Sequence, residues 1–333
     1  MEKSLVSVVT PCYNTGSYIG RLLESVLQQT YPNIEMFVID DGSTDNSVDV
    51  VESYKQKFQD RGYSLTLVSQ KNSGQSVAIR EGMKLIRGKY FVWPDSDDYY
   101  ATPDAIERMV EAFTQLGDEY GLVRLQANLL EEQSLKIIGK LGANVRDNYS
   151  KIQLFEDCLY SQNAFYVCSG AYMADFDKLK LTTTLDIYTD KNAGQNWQLM
   201  LPLLYNYKCA TIQETLYNVV VRLSSHSRGK YDNFEKIMLK LESYELTIHE
   251  TLNRIIGLSF SEKNIYSEEI RKKFCKERIL RAFEYNNKDG FQKNYKIAQN
   301  LKCLGKKEKI MRLFFNFPIV VKGVFYIKRN FCK

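Results

Sequence analysis

The chain has 333 residues, 44% of them apolar, so it can bury a sizeable core in one large domain with an appendage or in two domains. Its net charge of +5 is unevenly distributed, because Leu301–Lys333 contains nine basic residues and one acid and leaves the first 300 residues with a charge of −3. A nucleic-acid-binding fold spreads its basic residues over a folded face, so this pattern argues against nucleic acid as the main partner.

The seven cysteines are scattered without any Cys-x-x-Cys spacing. That pattern argues against a disulfide framework and a zinc site, and it favours a reducing cytosol. The first apolar stretch begins close to the N-terminus and is broken by Pro11 and Asn14, so we expect no signal peptide. No apolar run reaches the roughly 18 residues that a membrane-spanning helix needs. These features predict a cytoplasmic protein.

Strands and helices alternate through the first 100 residues. β-rich apolar runs predict strands, and apolar residues at helical spacing predict helices. This alternation implies right-handed β-α-β crossovers and a mainly parallel sheet with helices on both faces. The predicted strands are Val6–Thr10, Met36–Asp40, Leu65–Ser69 and Lys89–Trp93, and the predicted helices are Gly16–Thr30, a helix from about Asp45, and Gly74–Ile86.

Three acidic residues, Asp95, Asp97 and Asp98, directly follow the fourth predicted strand. The carboxyl ends of strands in an open α/β sheet are where ligands bind. Carboxylates this close repel one another unless a cation lies among them, and hard oxygen ligands suit magnesium or manganese, which usually accompany phosphate. The alternative is that the acidic run provides a turn and a helix cap before Thr102-Pro103-Asp104.

The loops after the first three strands are expected at the same edge of the sheet. Tyr13 could stack on a base, Asp40 or Asp41 could accept a hydrogen bond from an imide or a ribose hydroxyl, and Arg80 could reach a phosphate. Each loop taken alone is also consistent with a tight turn or a helix cap, as in Asn72-Ser73-Gly74. Their common position at one edge favours a shared binding site.

Three blocks in this order, SVVTPCYNTGSYIGRLLESVLQQTYPNIEMFVIDDGSTDNS, KNSGQSVAIREG and KYFVWPDSDD, resemble glycosyltransferase family 2, the inverting nucleotide-sugar transferases of GT-A fold. The likeness is dense to about Tyr100 and thinner to about Ser227. It implies a Rossmann-like α/β fold with a mainly parallel sheet flanked by helices and a C-terminal helical appendage. The implied domains are a catalytic domain at 1–227, with a nucleotide-binding half at 1–100 and an acceptor half at 101–227, and a helical region at 228–333.

The resemblance also implies roles for individual residues. Asp95 and Asp97 match the family's metal motif, with Asp97 the more direct ligand to a Mn²⁺ or Mg²⁺ that bridges the diphosphate and assists the leaving group. His226 is similar to the position that completes the metal or diphosphate site, although it could instead be a loop histidine bonded to the backbone. The candidates for holding the nucleotide, usually uridine in this family, are Pro11, Tyr13, Asp40, Asp41, Asn72, Gly74, Gln75, Arg80 and Ser96.

The segment AGQNWQ departs from the family, in which the matching place carries Glu-Asp before the aromatic residue and the Asp is the general base. Gln195 and Asn196 stand there instead, and neither accepts a proton at neutral pH. Both could still bind sugar, together with Trp197 by stacking and Asp98 on the acceptor side. Asp190 is a nearby acid that could supply the base, and its alternative is a solvated loop residue.

The rest of the chain is predicted to be mixed and then helical. A helix is expected at Pro103–Leu116 and a strand at Leu122–Leu125, and Ser161–Ala174 resembles the family's acceptor-side segment. From about Tyr231 the pattern is helical throughout. Its last part, about 305–333, interleaves basic and aromatic residues, which predicts an anchor on an anionic membrane surface or, alternatively, a helix docked on the core.

The sequence therefore predicts a cytoplasmic, metal-dependent inverting glycosyltransferase, peripheral on the inner face of a bacterial membrane. It would move a sugar from a nucleoside-diphosphate sugar, usually a UDP-sugar, to a saccharide or lipid-linked acceptor in surface-polysaccharide synthesis. One alternative is a nucleotide-sugar-binding protein that has lost transfer, as Gln195 and Asn196 suggest. A nucleotidyltransferase is a weaker alternative, since no Gly-rich basic loop follows Thr10, and no Gly-x-Gly-x-x-Gly supports a dehydrogenase.

Overall fold

The structure, a computed structural model, describes residues 3–142, 153–190, 192–222 and 233–315. The chain divides into two compact units. The first comprises Met1–Gly229 with Thr247–Leu258, and the second comprises Lys230–Leu246 with Ser259–Lys333.

The first unit is built on a nine-stranded sheet in the described part of the chain. Its strands are β1 (Val6–Cys12), β2 (Ile34–Asp40), β3 (Ser64–Ser69), β4 (Tyr90–Val92), β5 (Tyr99–Tyr100), β6 (Tyr120–Glu131), β7 (Ile137–Leu141), β8 (Tyr172–Asp175) and β9 (Lys208–Val221). Their order across the sheet is β3-β2-β1-β4-β8-β6-β9-β5, and β7 pairs with β6 outside this path.

The N-terminal half of the sheet is parallel, as the alternation of strands and helices predicts. β3, β2, β1 and β4 run in the same direction, and β1 and β2 are buried along their whole length. The crossover helices bury one apolar face each, because their apolar residues recur every three or four positions. These helices are α1 (Gly16–Leu27), α2 (Ser47–Asp60) and α3 (Gln75–Met83).

The other half of the sheet is mixed, which differs from the mainly parallel sheet that the sequence predicts. β8 is antiparallel to both β4 and β6, β6 and β9 are parallel, and β5 is antiparallel to β9. The α/β fold class with C-terminal helices is confirmed. The remaining helices of this half are α4 (Ala105–Gln115), α5 (Phe155–Tyr160), α6 (Phe176–Thr182) and α7 (Asn196–Asn206), with a 3₁₀ turn at Ser169–Ala171.

The second unit is helical. Its helices are α8 (Phe234–Arg254), whose residues from Thr247 onward belong to the first unit, α9 (Phe260–Glu284), α10 (Lys288–Asn300) and α11 (Lys306–Phe315). Ser259 and Glu262 form a capping box at the start of α9, satisfying two backbone donors of the first turn. Within the described residues, no helix combines the length and the apolar character needed to cross a membrane.

The described part of the predicted basic tail, helix α11, packs on the core of the second unit. Met311 is buried in that core, and the Phe315 ring lies 4.5 Å from the ring of Phe291. Ile310 and Leu313 remain 50% and 62% exposed. α11 is therefore docked through one set of apolar residues while it presents another to solvent, and residues 316–333 of the tail lie outside the described residues.

Candidate active site

The first three loops of the predicted site begin side by side. In the sheet, Cys12 of β1 pairs with Asp40 of β2, and Asp40 pairs with Ser69 of β3. The chain therefore leaves all three parallel strands at the same level. Pro11 lies inside β1 and is buried, whereas Tyr13, just after the strand, is 47% exposed. An exposed ring at the carboxyl edge of the sheet is available for stacking on a planar ligand.

Asp41 organises the loop that leads into α3. Its Oδ1 accepts hydrogen bonds from Gln70 Nε2 at 2.7 Å and from the backbone amide of Ser73 at 2.8 Å, and its Oδ2 accepts one from the amide of Gly74 at 2.8 Å. Gly42 has a φ of +78°, and a Cβ there would lie 2.9 Å from the amide nitrogen of Asn72. Asp41 is buried, so its carboxylate holds the Asn72–Gln75 loop in position.

Asp40 and the first loop are fastened to the turn that follows β2. Asp40 is buried, and its Oδ1 accepts a hydrogen bond from the amide of Ser43 at 3.1 Å. Asn14 has a φ of 51°, in the left-handed region, and its Oδ1 accepts a hydrogen bond from the amide of Thr44 at 2.8 Å. The second bond holds the backbone directly after Tyr13 against the turn that follows β2.

The three acids after β4 occupy three different environments. Asp95 accepts hydrogen bonds from Gln75 Nε2 at 2.8 Å and from Ser169 Oγ at 3.0 Å, so it links the start of α3 to the 3₁₀ turn. Asp97 Oδ2 lies 2.6 Å from Nη2 of Arg222, just beyond β9. Ser96, between Asp95 and Asp97, is buried.

Asp98 is turned towards the sheet. Its side chain is buried, and Oδ1 accepts a hydrogen bond from the amide of Val220 in β9 at 2.8 Å. The carboxylate therefore fastens the acidic loop, Asp95–Asp98, to β9. This geometry favours a structural role over the acceptor contact that the sequence predicts for Asp98.

The acidic loop provides a donor set that fits a divalent cation with hard oxygen preference. Among the described residues, no three His, Cys, Asp or Glu side chains form a metal cage, and His226 lies outside those residues. Magnesium commonly binds through one or two carboxylates together with substrate phosphates. Asp95, which contacts Gln75 at the start of α3, and Asp97 supply two carboxylates two residues apart, so the residues present fit such an ion.

The start of α7 carries the pair that replaces the family's Glu-Asp. Asn196 Oδ1 accepts a hydrogen bond from Nε1 of the fully buried Trp93 at 2.8 Å. Gln195 is only 1% exposed, and within the described residues its Oε1 and Nε2 have no hydrogen-bond partner. A buried amide without partners costs free energy, so its environment is complete only when another polar group reaches it. Trp197 follows in the first turn and is half-buried.

The loop before α7 lies against the first turn of α3. Ser76 Oγ lies 3.4 Å from the carbonyl oxygen of Asp190, which also accepts a hydrogen bond from the amide of Ala193 at 3.0 Å. The Asp190 side chain is exposed and accepts a hydrogen bond from the amide of Asn192. Arg80, one turn further along α3, lies 3.6 Å from a carboxylate oxygen of Asp186. Asp190 therefore belongs to a segment that packs against α3, the helix whose Gln75 contacts Asp95.

Sequence reasoning did not identify three residues that shape this region: Ser169, Tyr217 and Arg222. Tyr217 of β9 is fully buried, and burial together with the charge of Asp98 raises the pKa of its hydroxyl. A Cβ on Gly170 would clash with the Tyr217 hydroxyl, so only glycine fits beside the ring. Arg222 stands four residues before His226 in VVVRLSSHS, and that proximity was the available signal for it.

Comparisons with known proteins relate the first half of the chain to glycosyltransferases. The family model "Glycosyl transferase family 2" matches residues 7–155. A putative teichuronic acid biosynthesis glycosyltransferase of Bacillus subtilis is 38% identical over 109 residues, which cover 33% of this chain and 42% of that protein. The chain matches only about two fifths of the length of its curated relatives.

Solved structures extend the likeness to the fold of most of the chain. Staphylococcus aureus TarS 1-349 in complex with UDP-GlcNAc has a TM-score of 0.62 at 18% identity, covering 92% of this chain and 83% of that one. A mannosyltransferase of Pyrobaculum calidifontis in complex with GDP-Man and Mn²⁺ has a TM-score of 0.52 at 13% identity, covering 100% and 89%. The first likeness supports the GT-A fold that the sequence predicts.

Proposed function

From the match of residues 7–155 to the family model "Glycosyl transferase family 2" and from the likeness of the fold to Staphylococcus aureus TarS, we propose that the chain transfers a sugar from a nucleoside-diphosphate sugar to an acceptor. The observation that carries the proposal is the hydrogen bond between Gln75 and Asp95. It joins the loop that Asp41 organises to the acidic loop after β4, so that nucleotide-binding and phosphate-handling groups share one edge.

The donor is proposed to be a UDP-sugar held at the ends of β1, β2 and β3. Tyr13 supplies an exposed ring for the base, while Asp40 supplies a carboxylate at the adjoining strand end. The Asn72–Gln75 loop, with Gly74 and Gln75, lines the side nearest Asp95. Arg80 lies one turn into α3, within the same segment. The neighbour that binds UDP-GlcNAc supports a nucleotide-sugar donor of this kind.

A divalent cation, Mn²⁺ or Mg²⁺, is proposed to be held by Asp95 and Asp97, with His226 as a further ligand candidate. When bound, the ion supplies Lewis-acid stabilisation of the leaving nucleoside diphosphate. Gln75 and Ser169 orient the Asp95 carboxylate, and the Asp97 carboxylate forms an ion pair with Arg222. The neighbour that binds GDP-Man and Mn²⁺ supports a metal role in this fold.

The acceptor is proposed to bind at the start of α7. Among the residues that the structure describes, the Gln195 amide has no hydrogen-bond partner, while Asn196 accepts from Trp93 and Trp197 offers a ring for stacking on sugar. An inverting displacement needs a group that takes the proton of the acceptor hydroxyl, and amides do not. Asp190 is the proposed base, because its loop packs against the helix that contacts Asp95 through Gln75.

The acceptor is further proposed to be a lipid-linked glycan, with the protein on the cytoplasmic face of the cell membrane. Helix α11 carries four basic residues, and its exposed Ile310 and Leu313 lie among them. Basic residues with exposed apolar side chains favour binding at an anionic lipid surface. The relative named for teichuronic acid biosynthesis supports a role in surface polysaccharide synthesis.

A second function, binding of a nucleotide sugar without transfer, is favoured by one observation. The Asn196 oxygen is committed to Trp93, and the position that carries the base in the family is an amide. The proposed enzyme and this binding protein differ only in whether the bound nucleotide sugar is turned over.

A thermal-shift screen of nucleotide sugars with Mn²⁺ identifies the donor, since a ligand that binds only the folded state raises its stability. The identified donor is then incubated with enzyme, Mn²⁺ and short-chain polyprenyl-linked saccharides, and the released nucleoside diphosphate is measured. Catalytic release supports the transferase. A stabilising donor that is never turned over supports the binding protein, and the lack of any stabilising nucleotide sugar contradicts both functions.

A further inference from the structure

The ion pair between Asp97 and Arg222 places a protein cation on the carboxylate proposed to bind the metal. Asp97 Oδ2 and Arg222 Nη2 are 2.6 Å apart, and their side chains are 15% and 18% exposed. A guanidinium stays charged at neutral pH, so it neutralises this carboxylate permanently while the pair exists. Partial burial limits screening by salt, which makes the pair stronger than an exposed ion pair.

Contacts with Asp97 and with Tyr18 hold Arg222 in this position. Its guanidinium carbon lies 4.8 Å from the centroid of the Tyr18 ring of α1, within the range of a cation–π contact. The Tyr18 hydroxyl in turn donates a hydrogen bond to Glu132, the residue after β6. A planar guanidinium can stack on a ring and reach a carboxylate at the same time, which a lysine cannot do as well. These contacts therefore favour an arginine over a lysine at position 222.

Among the described residues, the hydrogen bonding of the Arg222 guanidinium is also incomplete. In the described part of the chain, its Nε is buried and donates to no acceptor. A guanidinium that served only to stabilise the fold would be expected to satisfy its buried donors, because a buried unsatisfied donor costs free energy. An acceptor met in a second arrangement of Arg222 could satisfy this donor.

We propose that Arg222 is a stand-in cation for the metal, holding Asp97 until a divalent ion with its nucleotide displaces it. This inference rests on the metal role proposed above for Asp97. Bare Mn²⁺ must compete with a positive charge already on the carboxylate, so it binds weakly. A nucleoside diphosphate adds several negative charges beside the ion and shifts the competition in favour of the metal. The metal thus arrives and leaves together with the donor nucleotide.

The proposal is tested by measuring free Mn²⁺ by electron paramagnetic resonance during titration of the full chain, with and without UDP. Arg222→Gln removes the competing charge, so it is expected to tighten Mn²⁺ binding without UDP by about 5- to 10-fold, equivalent to about 1 to 1.4 kcal/mol. The improvement in Mn²⁺ affinity caused by UDP should shrink by a similar factor. Arg222→Lys keeps the charge but loses the planar stack on Tyr18, so it should tighten Mn²⁺ binding less than Arg222→Gln does, by about 2- to 3-fold.

Arg21→Gln is the matched control. Arg21 also stacks on Tyr18, with its guanidinium carbon 5.5 Å from the ring centroid, so the substitution removes one charge from the same neighbourhood. The residue that pairs with Asp97, however, is Arg222. An Arg21→Gln effect as large as that of Arg222→Gln would overturn the proposal in favour of general electrostatics. In an Asp97→Asn background, the Arg222→Gln effect should vanish, because the carboxylate for which the two cations compete is gone.

Tyr18→Leu provides a second variant in case Arg222→Gln does not fold, since it loosens the guanidinium without changing charge. It should tighten Mn²⁺ binding without UDP by about 2- to 3-fold, and unchanged or weaker binding in this variant and in Arg222→Gln overturns the proposal. The proposed metal role of Asp97 and the proposed role of Arg222 would fail in different ways. If the wild type binds no Mn²⁺ even with UDP, the proposed metal role is wrong, whereas normal wild-type binding with no tightening in the variants refutes the stand-in cation alone.

Discussion

The indole Nε1 of Trp93 donates a hydrogen bond to Oδ1 of Asn196 at 2.8 Å, which joins the residue after β4 to the first residue of α7. Trp93 immediately precedes the acidic loop, and Asn196 stands at the proposed acceptor site. The two halves of the candidate site are therefore connected through a buried bond. An aspartate in place of Asn196 has the same shape and could accept the same hydrogen bond.

This bond leads to a prediction for Asn196→Asp. The new carboxylate keeps the Trp93 contact and adds a group able to take a proton, so we expect transfer to rise by about 10-fold or more. Asn196→Ala leaves the buried Trp93 donor unsatisfied, and we expect it to raise KM more than it lowers kcat and to lower the free energy of unfolding by about 1 to 3 kcal/mol. Steady-state kinetics and thermal unfolding check both effects. A drop in transfer for Asn196→Asp would contradict the placement of residue 196 beside the acceptor hydroxyl.

Asp190→Asn tests the proposed base itself. If Asp190 takes the acceptor proton, kcat should fall by on the order of 100-fold or more while donor binding is unchanged. Asp177→Asn, which alters an exposed acid in α6, serves as the control and should leave kcat within about two-fold. A normal kcat in Asp190→Asn, combined with a gain in Asn196→Asp, would exclude Asp190 and leave a slow enzyme or a binding protein.

Gly170 and Gly194 form a matched pair for a stability test. A Cβ at position 170 would collide with the Tyr217 hydroxyl, whereas nothing lies within 4 Å of a Cβ at position 194. We expect Gly170→Ala to lower the free energy of unfolding by about 1 to 3 kcal/mol through overpacking, and Gly194→Ala to be nearly neutral. Chemical denaturation measures both. Equal stabilities would mean that β9 moves away from the 3₁₀ turn at little cost.

The first half of the fold was predictable because its signals are local. β1 and β2 are rich in apolar residues and α1 has a clear helical period, so these elements and the polar strand ends could be identified from short windows. The second half was not, since the two-residue β5 and the four-residue β8 are too short to give a period. Only pairing with distant strands makes them part of the sheet.

The candidate site shows the same division. The sequence identifies the acids after β4 and the loops beside them, because these residues follow directly from strand ends. It does not reveal the role of each acid, because the contacts of this region join distant parts of the chain. Asp98 bonds to Val220 and Trp93 to Asn196 across 122 and 103 positions. Arg222 was missed for this reason, since its proximity to His226 in the sequence marks it as a candidate site residue but does not indicate that it pairs with Asp97.

The basic C-terminal segment carries a prediction about membrane binding. Replacing Ile310 and Leu313 with glutamate should weaken binding to vesicles rich in anionic lipid while the second unit stays folded, because both side chains are exposed on α11. Truncation after Phe315 should weaken binding further, at about 1 kcal/mol for each basic residue removed near the surface. Vesicle co-sedimentation measures binding, and Ile137→Glu, at an exposed position of β7, is the control.

Truncation after Gly305 should behave differently from truncation after Phe315. It removes Met311 and Phe315, which pack on the core of the second unit, so we expect a lower thermal midpoint as well as weaker vesicle binding. Vesicle binding that survives all of these changes would contradict the membrane role of the segment.

The most direct test of the central claim is the dependence of nucleoside diphosphate release on Asp97 and on a divalent ion. With the donor found by the screen and a polyprenyl-linked acceptor, release should require Mn²⁺ or Mg²⁺, stop with chelator, and fall by about 100-fold or more in Asp97→Asn, because the carboxylate that holds the ion is lost. The exposed Asp49→Asn on α2 should behave like the wild type. Release that persists in Asp97→Asn and in the presence of chelator would contradict the account.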